Sequence, residues 1–327
     1  MIEDNNVREF DRYQYVKTGL CGRVVDVHWA PNSYKTLELI DKGCIPIEMA
    51  QGSRSYVDFR QLDHHNNLSD NPAASIMALP YYGDCKMYGS FIVNHVDIDC
   101  VTTGAILLGL IPQDKVEEFA KTVAIADTDP FNPIMTTDQM SDMVKKIKLW
   151  NYSSIISGYA SPWSWIHGVN ILADLFEYPD RWEQMIGPME RKNARRKIIA
   201  MEDYCNRVEF DDKRAILITP SRAWGFDVQF GHFDGKSSND PDGWRHHVVM
   251  SHVNSNGKIT IACPNKTIAE RTFGKGGLMN VYNKLEQFKP VGWGGSKTIG
   301  GSARHLPLSI EEARECFDYL VHEVMAG

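Results

Sequence analysis

The sequence predicts an α/β fold: a mostly parallel sheet in an N-terminal domain, plus a smaller α/β domain at the C-terminal end, the two joined by helices. Three observations lead there. Short β-branched runs alternate with helical segments over residues 23–129, the pattern of strands linked by crossover helices. Acidic and histidine clusters follow those runs, where the carboxyl ends of parallel strands present ligands. A second strand-and-helix alternation begins after a helical stretch at 137–210. The expected boundaries are a metal-binding domain over 1–185, a linker helix over 186–210 and a substrate-binding domain over 211–327.

Residues 1–18 are polar and aromatic and read as an arm. Arg23–His28 is a strand by its β-branched residues. Tyr34–Lys42 is a short helix with Leu37, Leu39 and Ile40 inward. Tyr56–Leu62 is a second strand that delivers Asp63-His64-His65, and Ser90–Val96 is a third that delivers Asp97 and Asp99. Thr102–Leu110 is apolar on most sides and predicts a buried helix. Asp114–Ala120 predicts another, and Val123–Ala126 a fourth strand ending at Asp127-Thr128-Asp129. Helices follow at Asp138–Trp150, Trp163–Phe176 and Asp180–Asn206, the last interrupted near Gly187-Pro188. Arg214–Thr219, His246–His252 and Gly257–Cys263 are strand-like, and Thr267–Glu286 is partly helical. Residues 291–304 form a Gly-rich loop. Ser309, with Glu312 three residues on, predicts a capping box at the start of a terminal helix.

The chain has 327 residues, 43% hydrophobic and 24% charged, with a formal net charge of −7. That balance disfavours long duplex nucleic acid, whose binders carry a basic face, and favours a small or short anionic substrate. The longest apolar run, Ala105–Ile111, is too short to span a bilayer, and the N-terminal residues show no signal-peptide pattern, so no membrane partner is expected. Seven scattered cysteines without a CxxC pair read as reduced thiols of a cytoplasmic protein. A homodimer stays open.

Asp63-His64-His65 and His95-Val96-Asp97-Ile98-Asp99 carry the chemistry. Asp and His at strand ends suit Mn2+, Mg2+, Fe2+ or Zn2+. In an extended chain the i, i+2, i+4 spacing sets His95, Asp97 and Asp99 on one side, enough to hold one ion and begin a second. Two ions about 3.5–4 Å apart can activate a bridging hydroxide and neutralise a phosphoryl oxygen. Asp127-Thr128-Asp129 alone reads as a turn, and in this company as a further ligand. The Gly-rich loop lets backbone N–H groups approach an anion, with Lys297 and Arg304 adding charge.

Leu62-Asp63-His64-His65-Asn66 after an extended run resembles the signature of the DHH phosphoesterase superfamily. That group includes RecJ-type exonucleases, oligoribonucleases, cyclic-dinucleotide phosphodiesterases and manganese-dependent inorganic pyrophosphatases. Residues His95–Ala105 are similar to its His-x-Asp-x-Asp-Gly motif, and Ala126–Phe131 to its Asp-Thr-Gly-x-Phe motif. Residues 294–304 resemble the Gly-rich loop of the companion DHHA1 domain.

The resemblance implies a phosphohydrolase acting on a small phosphate ester, or a cyclic or short oligonucleotide, through a metal-activated hydroxide. It implies two divalent ions, Mn2+ first. The metal ligands would be His64, His95, Asp97, Asp99 and Asp127, with Asp63 and His65 as catalytic or orienting groups. Gly295, Ser296, Gly301, Ser302 and Arg304 would contact substrate. The motif order departs from the family, because Asp-His-His precedes His-x-Asp-x-Asp here. Under circular permutation, Asp26 at the end of the first strand would stand for the family's bridging Asp; alternatively His95–Asp99 sits where the family has the helix after Asp-His-His, and the early ligands come from Asp26 and His28. Cys100 and Asp129 replace family glycines; Cys100 reads as a buried thiol, a softer ligand being the alternative. These departures leave a second reading open: the same scaffold acting as a metal-dependent hydrolase or lyase on a non-phosphate substrate.

Overall fold

The computed structural model describes residues 13–30, 33–49, 62–63, 72–128, 133–136, 140–154, 161–203, 207–210, 214–219, 229–231, 243–254, 256–303 and 306–325. They form a mixed α/β structure with two mixed sheets. The chain divides into two compact units: residues 1–127 with 137–189, and residues 128–136 with 190–327.

Up to the second sheet the order is β1 (Gln14–Leu20), β2 (Arg23–Trp29), α1 (Ser33–Asp41), β3 (Ile45–Pro46), α2 (Ala74–Ala78), β4 (Tyr88–Val93), α3 (Ile98–Leu107), α4 (Val116–Thr128), α5 (Pro133–Thr136), α6 (Asp142–Ser154), α7 (Pro162–Glu177), α8 (Pro179–Glu183) and α9 (Ile186–Asp203). The first sheet runs β1-β2-β4-β3. β2–β4 and β4–β3 are parallel, and β3 is a strand that the sequence did not lead one to expect. β1 pairs antiparallel with β2, so residues expected in an arm supply an edge strand instead. Cys21 and Gly22 make the turn with φ 47 and 76, the primed geometry whose twist matches a hairpin.

One sheet face is apolar. Val25, Val27, Phe91 and Val93 are buried, and α7 contacts both β1 and β2. Gly104 of α3 faces Trp165 of α7, and a Cβ there would lie 2.2 Å from the indole. That close approach fixes α3, and with it the chain that enters α3 from β4. The other face carries Asp26, His28 and Ser90.

Three expectations need correction. Val123–Ala126 is not a strand but the second half of α4. Val116, Phe119, Ala120 and Val123 are buried at helical spacing, and that longer period outweighs a short apolar run. Leu37 of α1 is exposed while Leu39 is buried, so the apolar stripe is narrower than expected. The break before α9 falls at Gln184-Met185, and Gly187-Pro188 lies inside the first turn, where Pro costs no hydrogen bond. The strand expected at Tyr56–Leu62 lies outside the described residues, apart from Leu62.

The second sheet is built from β5 (Arg207–Phe210), β6 (Ala215–Ile218), β7 (Val248–Val253), β8 (Lys258–Ala262), β9 (Gly294–Gly295) and β10 (Ile299–Gly301), in the order β5-β6-β7-β8-β10-β9. β6–β7 is parallel and the other pairings are antiparallel. α10 (Lys266–Phe273), α11 (Leu278–Phe288) and α12 (Ile310–Tyr319) accompany it. Met250, Ile261, Val281, Leu285, Phe317 and Leu320 belong to its core. The capping box is present: Ser309 Oγ accepts from Glu312 N at 3.2 Å, and Glu312 Oε2 accepts from Ser309 N at 2.8 Å. No helix among the described residues is long and apolar enough to cross a membrane.

Candidate metal centre

The site begins where β4 ends. Asn94 leaves the strand, and Asp97 becomes the N-cap of α3, its Oδ1 accepting from Cys100 N at 2.9 Å. A capping Asp satisfies a helix-end donor and complements the positive end of the dipole. The helix therefore starts at Ile98, four residues before the expected Thr102. His95, Asp97 and Asp99 consequently do not line one side of an extended chain. Asp97 stays partly exposed at the helix entrance, whereas Asp99 is turned into the protein and fully buried. Its carboxylate accepts from Ala74 N at 2.7 Å and Ser75 N at 3.0 Å, the leading amides of α2.

His95 is the hinge of the arrangement. Its Nδ1 lies 2.8 Å from Asn94 Oδ1. With a proton on Nδ1 donated to that oxygen, the Nε2 lone pair points the other way, as in most metal-bound imidazoles. Nε2 lies 3.0 Å from Asp97 Oδ2 and 3.7 Å from Glu48 Oε2. Three lone-pair atoms thus converge on one small volume.

Glu48 was not expected from the sequence. It follows β3, is 1% exposed and has φ 46. A left-handed Glu costs about 1 kcal/mol or more, and such strain persists where the surroundings impose it. Here Ile47 N donates to Ile92 O at 3.0 Å and Glu48 N to Leu62 O at 2.9 Å, which hold the peptide on both sides. Asp63, the next residue after Leu62, is buried in turn. A signal was available: Ile45-Pro46-Ile47 is a short apolar, β-branched run ending on a carboxylate.

Glu48 belongs to two groups of donors. In one, its carboxylate meets His95 and Cys100; in the other, it meets Asp99 and Asp127. Within each group the donor atoms lie within 4.8 Å of one another. Donors on one ion stand about 3.4–4.6 Å apart, from tetrahedral neighbours to opposite ligands, for bonds of about 2.1–2.3 Å, so both groups close on a cation with small adjustments. The Cys100 thiol is held well above its ordinary range, first by burial and then by the charges of Asp97, Glu48 and Asp99; the Trp165 indole opposes this. A cation among those carboxylates would reverse the balance.

The structure brings His95, Asp99 and Asp127 to Glu48, with Asp97 alongside His95. Asp127 arrives from the C-terminal end of α4 rather than from a strand. Asp26 does not join them. It pairs with Ser90 in mid-strand, five residues before His95, and accepts from Tyr88 OH at 2.7 Å and Tyr15 OH at 3.2 Å with Lys17 at 3.7 Å. His64, His65, Asp129 and Arg304 lie outside the described residues.

In the second unit the Gly-rich stretch is not a loop but the β9–β10 hairpin. Gly301 is required by backbone, since a Cβ would fall 1.9 Å from Ile259 O. Ser302 continues the pairing: its N donates to Ile259 O at 3.1 Å and its Oγ accepts from Ile259 N at 3.0 Å. Gly295 has φ 148, and Ser296 N donates to Ile299 O at 2.8 Å to close the turn. These residues are explained by the sheet they build. Compared with family models, curated proteins and solved structures, the chain matches none.

Proposed function

We propose that the chain is a metal-dependent phosphohydrolase acting on a small phosphate ester, or on a cyclic or short oligonucleotide. The observation that carries this reading is the convergence of Glu48, His95, Cys100, Asp99 and Asp127 from three separate chain segments in the first unit. Clustered ligands of this kind mark functional sites more often than structural ones. The carboxylate and imidazole donors suit two divalent ions, with Mn2+ the first candidate. When bound, such ions lower the pKa of a water and neutralise a phosphoryl oxygen. Glu48 would then hold the two halves of the centre together. His95 would be fixed by Asn94. Asp97 would stand at the partly exposed rim beside His95. Asp63 is buried beside the Glu48 backbone and fits a supporting role. A cytoplasmic site of action fits the free thiols among the described residues.

Metal content and metal-dependent phosphate release from a panel of monoesters, cyclic dinucleotides and short oligonucleotides test this. Loss of an outer-shell partner typically costs 10–100-fold, so His95→Ala and Glu48→Gln should each lower release by about 100-fold or more. Full activity in both variants would refute the reading. The commitment of Gly301 and Ser302 to the sheet favours a second reading, a hydrolase or lyase for a non-phosphate substrate. Retained metal with no release from any phosphate substrate would select it.

A further inference from the structure

The two donor groups around Glu48 differ in chemistry. Glu48, Asp99 and Asp127 offer oxygen alone, whereas Glu48, His95 and Cys100 offer oxygen, nitrogen and sulfur. We infer that Cys100 is a metal ligand, so that the half-site it shares with His95 and Glu48 takes a thiophilic ion such as Zn2+, Fe2+ or Co2+ while the other half-site takes a hard one. The inference rests on the metal-centre reading and makes that centre unequal.

The argument is positional. Cys100 sits in the first turn of the ten-residue helix α3, one residue after Asp99 and three after the capping Asp97. It is fully buried, and its Sγ donates to His95 O at 3.7 Å. The same sulfur is within 4.8 Å of the donor atoms of both Glu48 and His95. A buried thiol serving only as a small apolar side chain has no reason to face a carboxylate and an imidazole. Thiolate and imidazole together select borderline ions, and oxygen-only sites select Mg2+ or Mn2+. On binding, the sulfur–metal bond forms as the Sγ–H proton passes to bulk water.

Cobalt reconstitution of the chelator-stripped full chain tests this. The bound ion should give a near-ultraviolet thiolate-to-cobalt charge-transfer band in the wild type and in Cys21→Ser, which removes an exposed thiol. In Cys100→Ser the band should vanish and cobalt affinity should fall by at least about tenfold. X-ray absorption on the zinc-loaded wild type needs no variant and should show one sulfur at about 2.3 Å. Cobalt bound with no sulfur in either experiment would overturn the inference and leave an oxygen-and-nitrogen centre standing. A band that survives Cys100→Ser would also overturn it. No cobalt bound at all would overturn both this inference and the metal-centre reading.

Discussion

His28 shows how a single residue ties sheet packing to solution behaviour. It lies on the polar face of the first sheet, stacked on Tyr15 with centroids 4.8 Å apart and accepting or donating to Tyr13 OH at 2.9 Å. Ser90 Oγ is 3.4 Å from its Nε2. Burial first, then Lys35 and Lys42, hold its pKa below the ordinary 6.5, and nearby Asp26 does not outweigh them. The unfolded chain therefore binds a proton more readily than the folded one. Stability from this residue is complete above pH ~6.5 and declines as pH falls through that value toward the lowered folded pKa. Thermal midpoints measured from pH 7.5 to 5 should fall more steeply for the wild type than for His28→Gln. Equal slopes would assign the acid sensitivity to other groups. At the same scale, His95, Asp97 and Asp99 were legible because they cluster in sequence. Glu48 was not, because it stands alone after an apolar run and acquires neighbours only when β3 pairs with β4.

Elements were legible where one periodicity dominated a long stretch. α7 matches its expected segment to within one residue at each end, and Ser309 with Glu312 fixed the start of α12. Legibility failed where two short signals competed. In α4 a β-branched fragment sat inside a helical period, and at Asp97 a cap overrode an apparently extended motif. The β9–β10 hairpin failed for another reason. Repeated glycines signal either a loop that approaches a ligand or strands that approach each other, and only tertiary pairing decides. Gly301 provides the test. Its missing Cβ would meet the Ile259 carbonyl, which cannot move without breaking the β8–β10 pairing. Gly301→Ala should therefore cost about 3 kcal/mol or more in a urea titration while leaving metal content unchanged. A neutral effect on stability would return this hairpin to the role of a yielding ligand loop.

At the scale of the whole chain, the sequence conveys an α/β protein but not the mixed character of its sheets. Strand direction depends on which strands become neighbours, and β1 joins as an antiparallel edge through a two-residue turn that the polar, aromatic composition of residues 1–18 concealed. The donors of the candidate centre are likewise far apart in sequence: Glu48 after β3, His95 to Cys100 at the head of α3, and Asp127 at the end of α4. All of them belong to the first unit. A cation that binds the folded form alone stabilises it by about 2.7 kcal/mol at a hundredfold excess over Kd. That stabilisation should suppress local openings in the segments that supply the ligands and in α2, whose leading amides hold Asp99. Hydrogen exchange followed by mass spectrometry, with and without saturating Zn2+ and Mn2+, should therefore show slowing at residues 45–49, 74–78, 95–104 and 120–127. The β7 and β8 strands of the second unit, which supply no donor, should keep their rates. Equal slowing in both units would mean that the ions bind elsewhere or stabilise the chain without using these side chains, and the centre around Glu48 would have to be abandoned.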